Sequence, residues 1–600
     1  MTAYTAPLDD MRFVLTEIAD LAGVAALPGL EEATPDLAEA VLGEAGKLAA
    51  EVLAPLNQPG DQAGSVYENG VVRTPAGFRE AYARFREGGW NALPFDPDYG
   101  GQGLPWTLNV AVQEMWNAAN MSFALCPLLT QGAVELLQLH GSPSQKETYL
   151  PRLIAGEWTG TMNLTEPQAG SDVGASKTRA LPGQDGEYLI TGQKIYITYG
   201  EHDLTDNIVH MVLARTPDAP PGTKGISLFI VPKFLVTEDG APGQRNDLRC
   251  VSIEHKLGIK ASPTAVMAYG DSGGAVGYLV GEANRGMEYM FTMMNSERLL
   301  VGVQGLAIAE RAYQQALAYA RERTQSRALG SRDPAPVKII RHPDVRRMLM
   351  TMKSQIEAMR ALVYFVAAEL DRAKRAPGSA GQAEAQALVD LLIPVTKGWC
   401  TDLGCEIASL GVQVHGGMGY IEETGAAQHY RDARIAPIYE GTNGIQALDL
   451  LSRKMLRDEG AALRDLTAAM EATQRELEPL GGKQVTALRG ALGEGIMTLE
   501  AAGEFLLDLG RDDIERAAAG ASPLLRLLGV VAGGWLLAKG AAAAERRLAA
   551  DPQAADADFL KAKLATGQFY AENILPQVAG LASQIITGAG STLALDENQF

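Results

Sequence analysis

The hydrophobic periodicity of this chain changes character twice along its 600 residues, and that order of textures restricts what it can fold into. From Leu15 to about residue 155, apolar residues recur at intervals of three and four, as at Leu37, Val41 and Leu48. That is the spacing of helices with one buried stripe. The pattern is broken at Pro55 and again over residues 91–104, a Gly/Pro cluster in which the backbone can approach a neighbour closely. From Gly160 to about Val280, short runs rich in β-branched and aromatic residues alternate with Gly, Pro, Asp and Asn, which predicts antiparallel strands. After Gly286 the helical pattern returns to about Glu459, and beyond Gly481-Gly482 the chain is Ala/Leu-rich and helical to its end. The reading is an α+β protein with a helical region over 1–159, a β-domain over 160–281, a helical bundle over 282–468 and a further helical block over 469–600. A chain of this length exceeds what a single core organises.

Composition narrows the partners. A formal net charge of -20 argues against nucleic acid, which demands a basic surface. A polyanionic ligand would need a local basic patch. Four cysteines, with no His pair near Cys400 and Cys405 at ligand spacing, predict neither a disulfide framework nor a metal site and suit a reducing cytoplasm. The first ten residues lack the basic and apolar regions of a secretory signal. The run from Leu524 to Leu537 is about 14 residues, shorter than the ~20 that span a bilayer, and reads as a buried helix.

Four stretches can carry chemistry. In Ile438-Tyr-Glu-Gly-Thr442 a lone acid, Glu440, stands between an apolar approach and a glycine. Partial desolvation there would raise its pKa towards that of a usable base, although a solvated turn has the same composition. Residues 157–172 contain Thr165, Gly170 and Ser171, which can offer N–H and O–H groups to a planar or phosphorylated ligand or form a tight surface turn. Strand alternation over residues 193–200 puts Tyr196 and Thr198 on one face, suited to a ring ligand or to ordinary sheet surface. Gln413-Val-His-Gly-Gly-Met-Gly-Tyr420 is a glycine cluster that a pyrophosphate would fit. Gly270-Asp-Ser-Gly-Gly274 imitates a serine-protease nucleophile segment, but the surrounding layout supplies no paired barrels, so it reads as an inter-strand loop.

Together, Tyr99-Gly-Gly-Gln-Gly103, Leu164-Thr-Glu-Pro-Gln-Ala-Gly-Ser-Asp172, Gly192-Gln-Lys-Ile-Tyr-Ile-Thr198, Arg321-Glu-Arg-Thr-Gln325, Gln413-Val-His-Gly-Gly417 and Tyr439-Glu-Gly-Thr442 resemble the acyl-CoA dehydrogenase family, in its order. The chain length and C-terminal block are similar to a ~600-residue bacterial subgroup. The resemblance implies FAD bound between the β-domain and the second helical domain. It places Thr165 on the flavin pyrimidine, Ser171 near the phosphates, Thr198 at the N5 edge and Tyr196 against the ring, with Met162, Leu164 and Gly170 in the same cradle. Arg323, Gln325, Gln413, Gly416 and Gly417 would meet the pyrophosphate and adenosine part of FAD in a neighbouring subunit, with Thr442 and Asn443 also assigned to the cofactor. Glu440 would be the base, while Ser171, Arg298, Tyr439 and Gly441 would contact the acyl-CoA. Electron-transfer flavoprotein would be the acceptor, and a homodimer is the expected assembly. Asn163, Tyr196, Ser326-Arg327 and Gln428 depart from the family pattern without removing the base. The alternatives are an acyl-CoA oxidase and a non-catalytic acyl-CoA-binding protein.

Overall fold

A computed structural model describes residues 4–600, so Met1–Ala3 of the N-terminal stretch lie outside the described residues. About 62% of the chain is helical around a central sheet. The residues form two compact units, one of 44–104 and 115–300, the other of 4–43, 105–114 and 301–600.

The first unit is built on an eight-stranded sheet. In spatial order its strands are Leu248–Ile253, Thr264–Tyr269, Tyr188–Thr198, Ala275–Leu279, Ser227–Pro232, Asn207–Ala214 and Trp158–Asn163, with Arg179–Pro182 added to Tyr188–Thr198 off this path. Ile190, Ile197, Val212, Phe229, Val231 and Met267 form its core. The expected antiparallel order holds except at one edge, where Trp158–Asn163 pairs parallel to Asn207–Ala214. Gly160 permits this strand to lie close to a helix, since a Cβ there would stand 2.4 Å from the Ala133 methyl. Residues 270–274 are the inter-strand turn expected of them, tied by the Ser272 and Gly274 N–H groups to Asp247.

Two further expectations are corrected in this unit. Pro55 does not break the helical run: Leu48–Leu53 widens to a π-helical turn that runs directly into helix Ala54–Ala63, with Pro55 in its first turn. The helical region also contains a hairpin, Val66–Glu68 with Val71–Arg73, closed by Asn69 and Gly70 at φ 52° and 83°. Helix Trp106–His140 is interrupted at Asn120 (φ -160°, ψ 88°), whose side chain accepts from the Phe123 N–H and so starts the helix afresh.

The other unit is helical. Pro343–Arg375 packs on Ser379–His415, and the C-terminal helices Lys483–Asp512, Ala521–Ala550, Ala557–Asn573 and Gln577–Thr592 pack together. Ala521–Ala550 is central: it touches the other three as well as Pro343–Arg375 and Ser379–His415. Glycines allow this approach, because a Cβ at Gly529 would lie 2.4 Å from the Trp399 ring. At 30 residues the helix is longer than the apolar run foreseen for it. Arg526 is accommodated by Glu406 at 2.6 Å, and Lys539 lies over the rings of Phe365 and Trp535. This helix and Trp106–His140 are long and apolar enough to cross a membrane, and 89% of the apolar window of each is buried within the protein.

A buried ion cluster fastens this unit. Arg360 binds Glu114 at 2.6 Å, Glu310 at 2.8 Å and Asp10, and Lys563 bridges Asp10 at 2.7 Å and Glu357 at 2.8 Å. Burial works against ionisation of Asp10, yet Lys563 and Arg360 hold its carboxyl well below the usual range.

Candidate active site

In the sheet unit, the candidate cofactor residues cluster on one strand and the loop that leads to it. Strand Tyr188–Thr198 buries Ile190 and Lys194, then Ile197, so the inward phase slips by one residue. The cause is a bulge: Ala265 pairs with Ile197 and Met267 with Lys194, leaving Ile195 and Tyr196 opposite the single residue Val266. Tyr196 takes the left-handed conformation, φ 60°. Tyr196 is 60% exposed, and Thr198 lies on the same outward face. Bulges re-aim side chains beside functional sites in this way.

Residues 164–172 reach this strand through a buried anchor. Glu166 accepts from Lys194 Nζ at 2.8 Å, Thr178 Oγ1 at 2.6 Å, the Lys177 N–H at 2.7 Å and the Thr178 N–H at 3.1 Å. Burial alone would raise the Glu166 pKa; Lys194 and these donors overcome it and hold the carboxyl down to about 2. The Lys194 ammonium also donates to the Leu164 carbonyl at 2.9 Å, and the Ile195 N–H to the Thr165 carbonyl at 2.9 Å. With their carbonyls engaged inward, Leu164 and Thr165 are half-buried, as is Met162, while Gly170 and Ser171 are exposed. The Asn163 departure is explained locally: its Oδ1 accepts from the Tyr269 hydroxyl at 2.9 Å, with His210 Nδ1 3.3 Å away. Arg298 is 6% exposed and lies over the Phe291 ring at 5.9 Å.

In the helical unit, Glu440 occupies the left-handed region at φ 57° and Gly441 follows at φ 83°. A non-glycine residue there is strained and persists only where its surroundings enforce it. The enforcing groups are Gln446, whose Nε2 donates to the Glu440 carbonyl at 3.1 Å, and Lys397, whose Nζ donates to the Gly441 carbonyl at 2.8 Å. The Tyr439 hydroxyl is fastened by the buried Gln304. Thr442 caps helix Asn443–Leu448 through the Ile445 N–H at 3.4 Å. The Asn443 amide is turned inward, donating to Gly398, Thr401 and Asp402 and accepting from Lys397, so its side chain is committed to holding the turn.

The same unit brings the glycine cluster to the Arg323 segment. Tyr319 stacks on His415 with ring centroids 4.6 Å apart, which sets the end of helix Gly286–Glu322 beside Gly416 and Gly417. Neither glycine has any atom within 4 Å of where a Cβ would stand, so this backbone is open to approach. Arg323 and Gln325 are exposed and joined at 3.2 Å, and Gln413 is exposed. Gln428 is buried and donates to Asp432 at 3.1 Å, so the residue at that place supports its own helix.

These groups fit FAD by their chemistry. An outward aromatic ring with Thr198 beside it, hydroxyls at Thr165 and Ser171, and an open glycine backbone near an exposed arginine match a planar polar ring and a pyrophosphate.

Family models confirm the class. The acyl-CoA dehydrogenase N-terminal, middle and C-terminal domains match residues 36–157, 161–271 and 284–456, and an acetyl-CoA dehydrogenase C-terminal-like domain matches 460–596. The chain belongs to the acyl-CoA dehydrogenase family of FAD-dependent oxidoreductases. It is 50% identical over 590 residues to 3-methylmercaptopropionyl-CoA dehydrogenase of Ruegeria pomeroyi, covering 98% of this chain and 99% of that one. It is 33% identical over 621 residues to the broad-specificity linear acyl-CoA dehydrogenase FadE5 of Mycobacterium tuberculosis, covering 100% of each. Among solved structures, an acyl-CoA dehydrogenase complexed with FAD from Bacillus anthracis shares the fold, with a TM-score of 0.74 at 21% identity over 93% of this chain and 90% of that one.

Proposed function

We propose that this chain desaturates a short acyl-CoA thioester to the trans-2-enoyl-CoA, with Glu440 removing the α-proton. The observation that carries the reading is the enforced left-handed turn at Glu440, placed between the anchored Tyr439 and Gly441. An α-C–H beside a thioester is a weak acid, so the base must be held in place while the carbonyl is polarised. The Glu440 backbone N–H supplies one donor to that carbonyl, in the manner of an oxyanion hole. When bound, FAD supplies the hydride acceptor. Thr165, Ser171, Tyr196 and Thr198 hold its ring and phosphate region, and Arg323, Gln325, Gln413, Gly416 and Gly417 serve the pyrophosphate and adenosine part, across the subunit boundary of a homodimer. Electrons leave to an electron-transfer flavoprotein. Because the Ruegeria relative at 50% identity is named for a methylthio-substituted propionyl thioester, that class of short thioether acyl group is the first to test.

The test is anaerobic titration of the flavin-loaded protein with butyryl-CoA, 3-methylmercaptopropionyl-CoA and longer acyl-CoAs, following flavin absorbance in wild type and Glu440→Gln. Bleaching in wild type that is lost in the variant is expected. A variant that bleaches like wild type sinks the base assignment, and flavin that no acyl-CoA bleaches sinks the substrate class.

A further inference from the structure

The helix Ser379–His415 carries a buried lysine with no sequence motif around it. Lys397 is wholly buried, and its ammonium reaches across to the 440–443 turn. There it donates to two acceptors, the Gly441 carbonyl at 2.8 Å and Asn443 Oδ1 at 2.8 Å. Asn443 is itself locked by the next turn of the same helix, through Gly398 O at 3.0 Å, Thr401 Oγ1 at 3.0 Å and Asp402 Oδ1 at 2.7 Å. Thr401 closes the ring by donating to the Lys397 carbonyl at 2.7 Å. Four residues of one helix thus grip a single turn, and the gripped carbonyl belongs to the residue directly after Glu440.

A buried cation is retained only where its acceptors repay desolvation, and here the acceptors include a carbonyl that a relaxed turn would not offer. Glu440 at positive φ would relax towards the right-handed or extended regions if that carbonyl were released. Relaxation would swing its Cβ, and with it the carboxylate, out of the present direction. Gln446 holds the preceding carbonyl, at 3.1 Å, but is itself part of the short helix that the turn starts. Lys397 is the tie to a separate, long element.

We infer that Lys397 is a positioning residue for the base: through the Gly441 carbonyl and the Asn443 amide it holds the left-handed turn that aims the Glu440 carboxylate. This rests on Glu440 being the base. Lys397→Met removes the ammonium at similar volume, and Asn443→Ala removes the second acceptor without burying a new polar group.

The experiment measures, for both variants and wild type, the bound FAD, the affinity for the matching enoyl-CoA product from its flavin spectral shift, and the rate of anaerobic bleaching by the best acyl-CoA across pH. A displaced base costs rate rather than binding, and a shift of about 1 Å is worth about 100-fold. The expected result is unchanged FAD content, enoyl-CoA affinity within about threefold of wild type, bleaching slowed by about 100-fold in Lys397→Met and by less in Asn443→Ala, and a displaced pH midpoint. Unchanged bleaching and pH midpoint in Lys397→Met overturn the inference. If that variant does not fold, Asn443→Ala decides, with slowed bleaching at intact product affinity in favour and wild-type bleaching against. Failure of the underlying reading shows separately, as Glu440→Gln that still bleaches at the wild-type rate.

Discussion

The ammonium of Lys194 lies 2.8 Å from Oε1 of Glu166, and both side chains are buried. The pair joins the 164–172 loop to the strand that carries Tyr196 and Thr198, so it supports that outward face without belonging to it. Removing one partner strands the other charge in a dry site, which costs about 3–5 kcal/mol. Lys194→Met is therefore expected to lower the melting temperature of the purified protein and to release FAD more readily on dilution. Equal melting and equal FAD retention would assign the pair no such role.

The turn at Glu440 trades stability for placement. Glycine accepts φ 57° freely, whereas a side chain there costs on the order of 1 kcal/mol. Glu440→Gly is expected to be inactive in acyl-CoA bleaching yet more stable than wild type by up to about 1 kcal/mol. Equilibrium denaturation reads this out, and a clear loss of stability would show that the conformation is not strained.

Acid weakens the sheet unit through its buried histidines. Burial draws His202 and His210 down to about 3, with Lys233 adding to the effect. His202 accepts from the Leu204 N–H at 3.1 Å through Nδ1, which requires the neutral ring. Between about pH 6.5 and 3 the unfolded chain binds protons at these rings that the folded chain refuses. Stability contributed by the neutral rings is thus fully present above pH 6.5 and lost as pH falls towards 3. At pH 5 each ring is expected to cost about 2 kcal/mol relative to pH 8. Melting curves from pH 8 to 5 check the sign, and His202→Gln should flatten the slope.

The contact of Gly529 with Trp399 makes the C-terminal block part of the same core as the bundle. A Cβ at 2.4 Å from the ring cannot be accommodated without moving one of the two helices. Gly529→Val is expected to destabilise by about 1–3 kcal/mol, the usual range for overpacking. Gly490→Val, at an exposed helical position where no atom lies within 4 Å, is the matched control in the same denaturation series and is expected to change stability by no more than about 0.5 kcal/mol.

What could be read from the sequence was what repeats locally. Helical and strand periodicities located the sheet and the bundle, and residues such as Glu440 and Gly416 stood out because glycine and lone acids are conspicuous in short segments. The Val66–Arg73 hairpin was equally local, since Asn69-Gly70 between two short apolar runs is strong turn chemistry, but the helical spacing around it masks the signal. Lys397 and Gln304 left no trace, because each acts on a segment distant in sequence and sits in an ordinary helical pattern, and Gln446, although close to Glu440 in the chain, is a helical glutamine whose type does not say which carbonyl it holds. The parallel edge pairing was hidden for the same reason: strand composition does not state direction.

The bulge opposite Val266 also makes that point of the strand able to lose one residue without exchanging its two faces. Upstream of it the sheet counts Ile190 and Lys194 as inside, and downstream it counts Ile197. Deleting Ile195 or Tyr196 would restore unbroken alternation with Lys194 and Ile197 both still inside and Thr198 still outside, so the two faces would survive and only the left-handed kink at position 196 would be lost. A one-residue deletion here straightens the strand rather than reversing it.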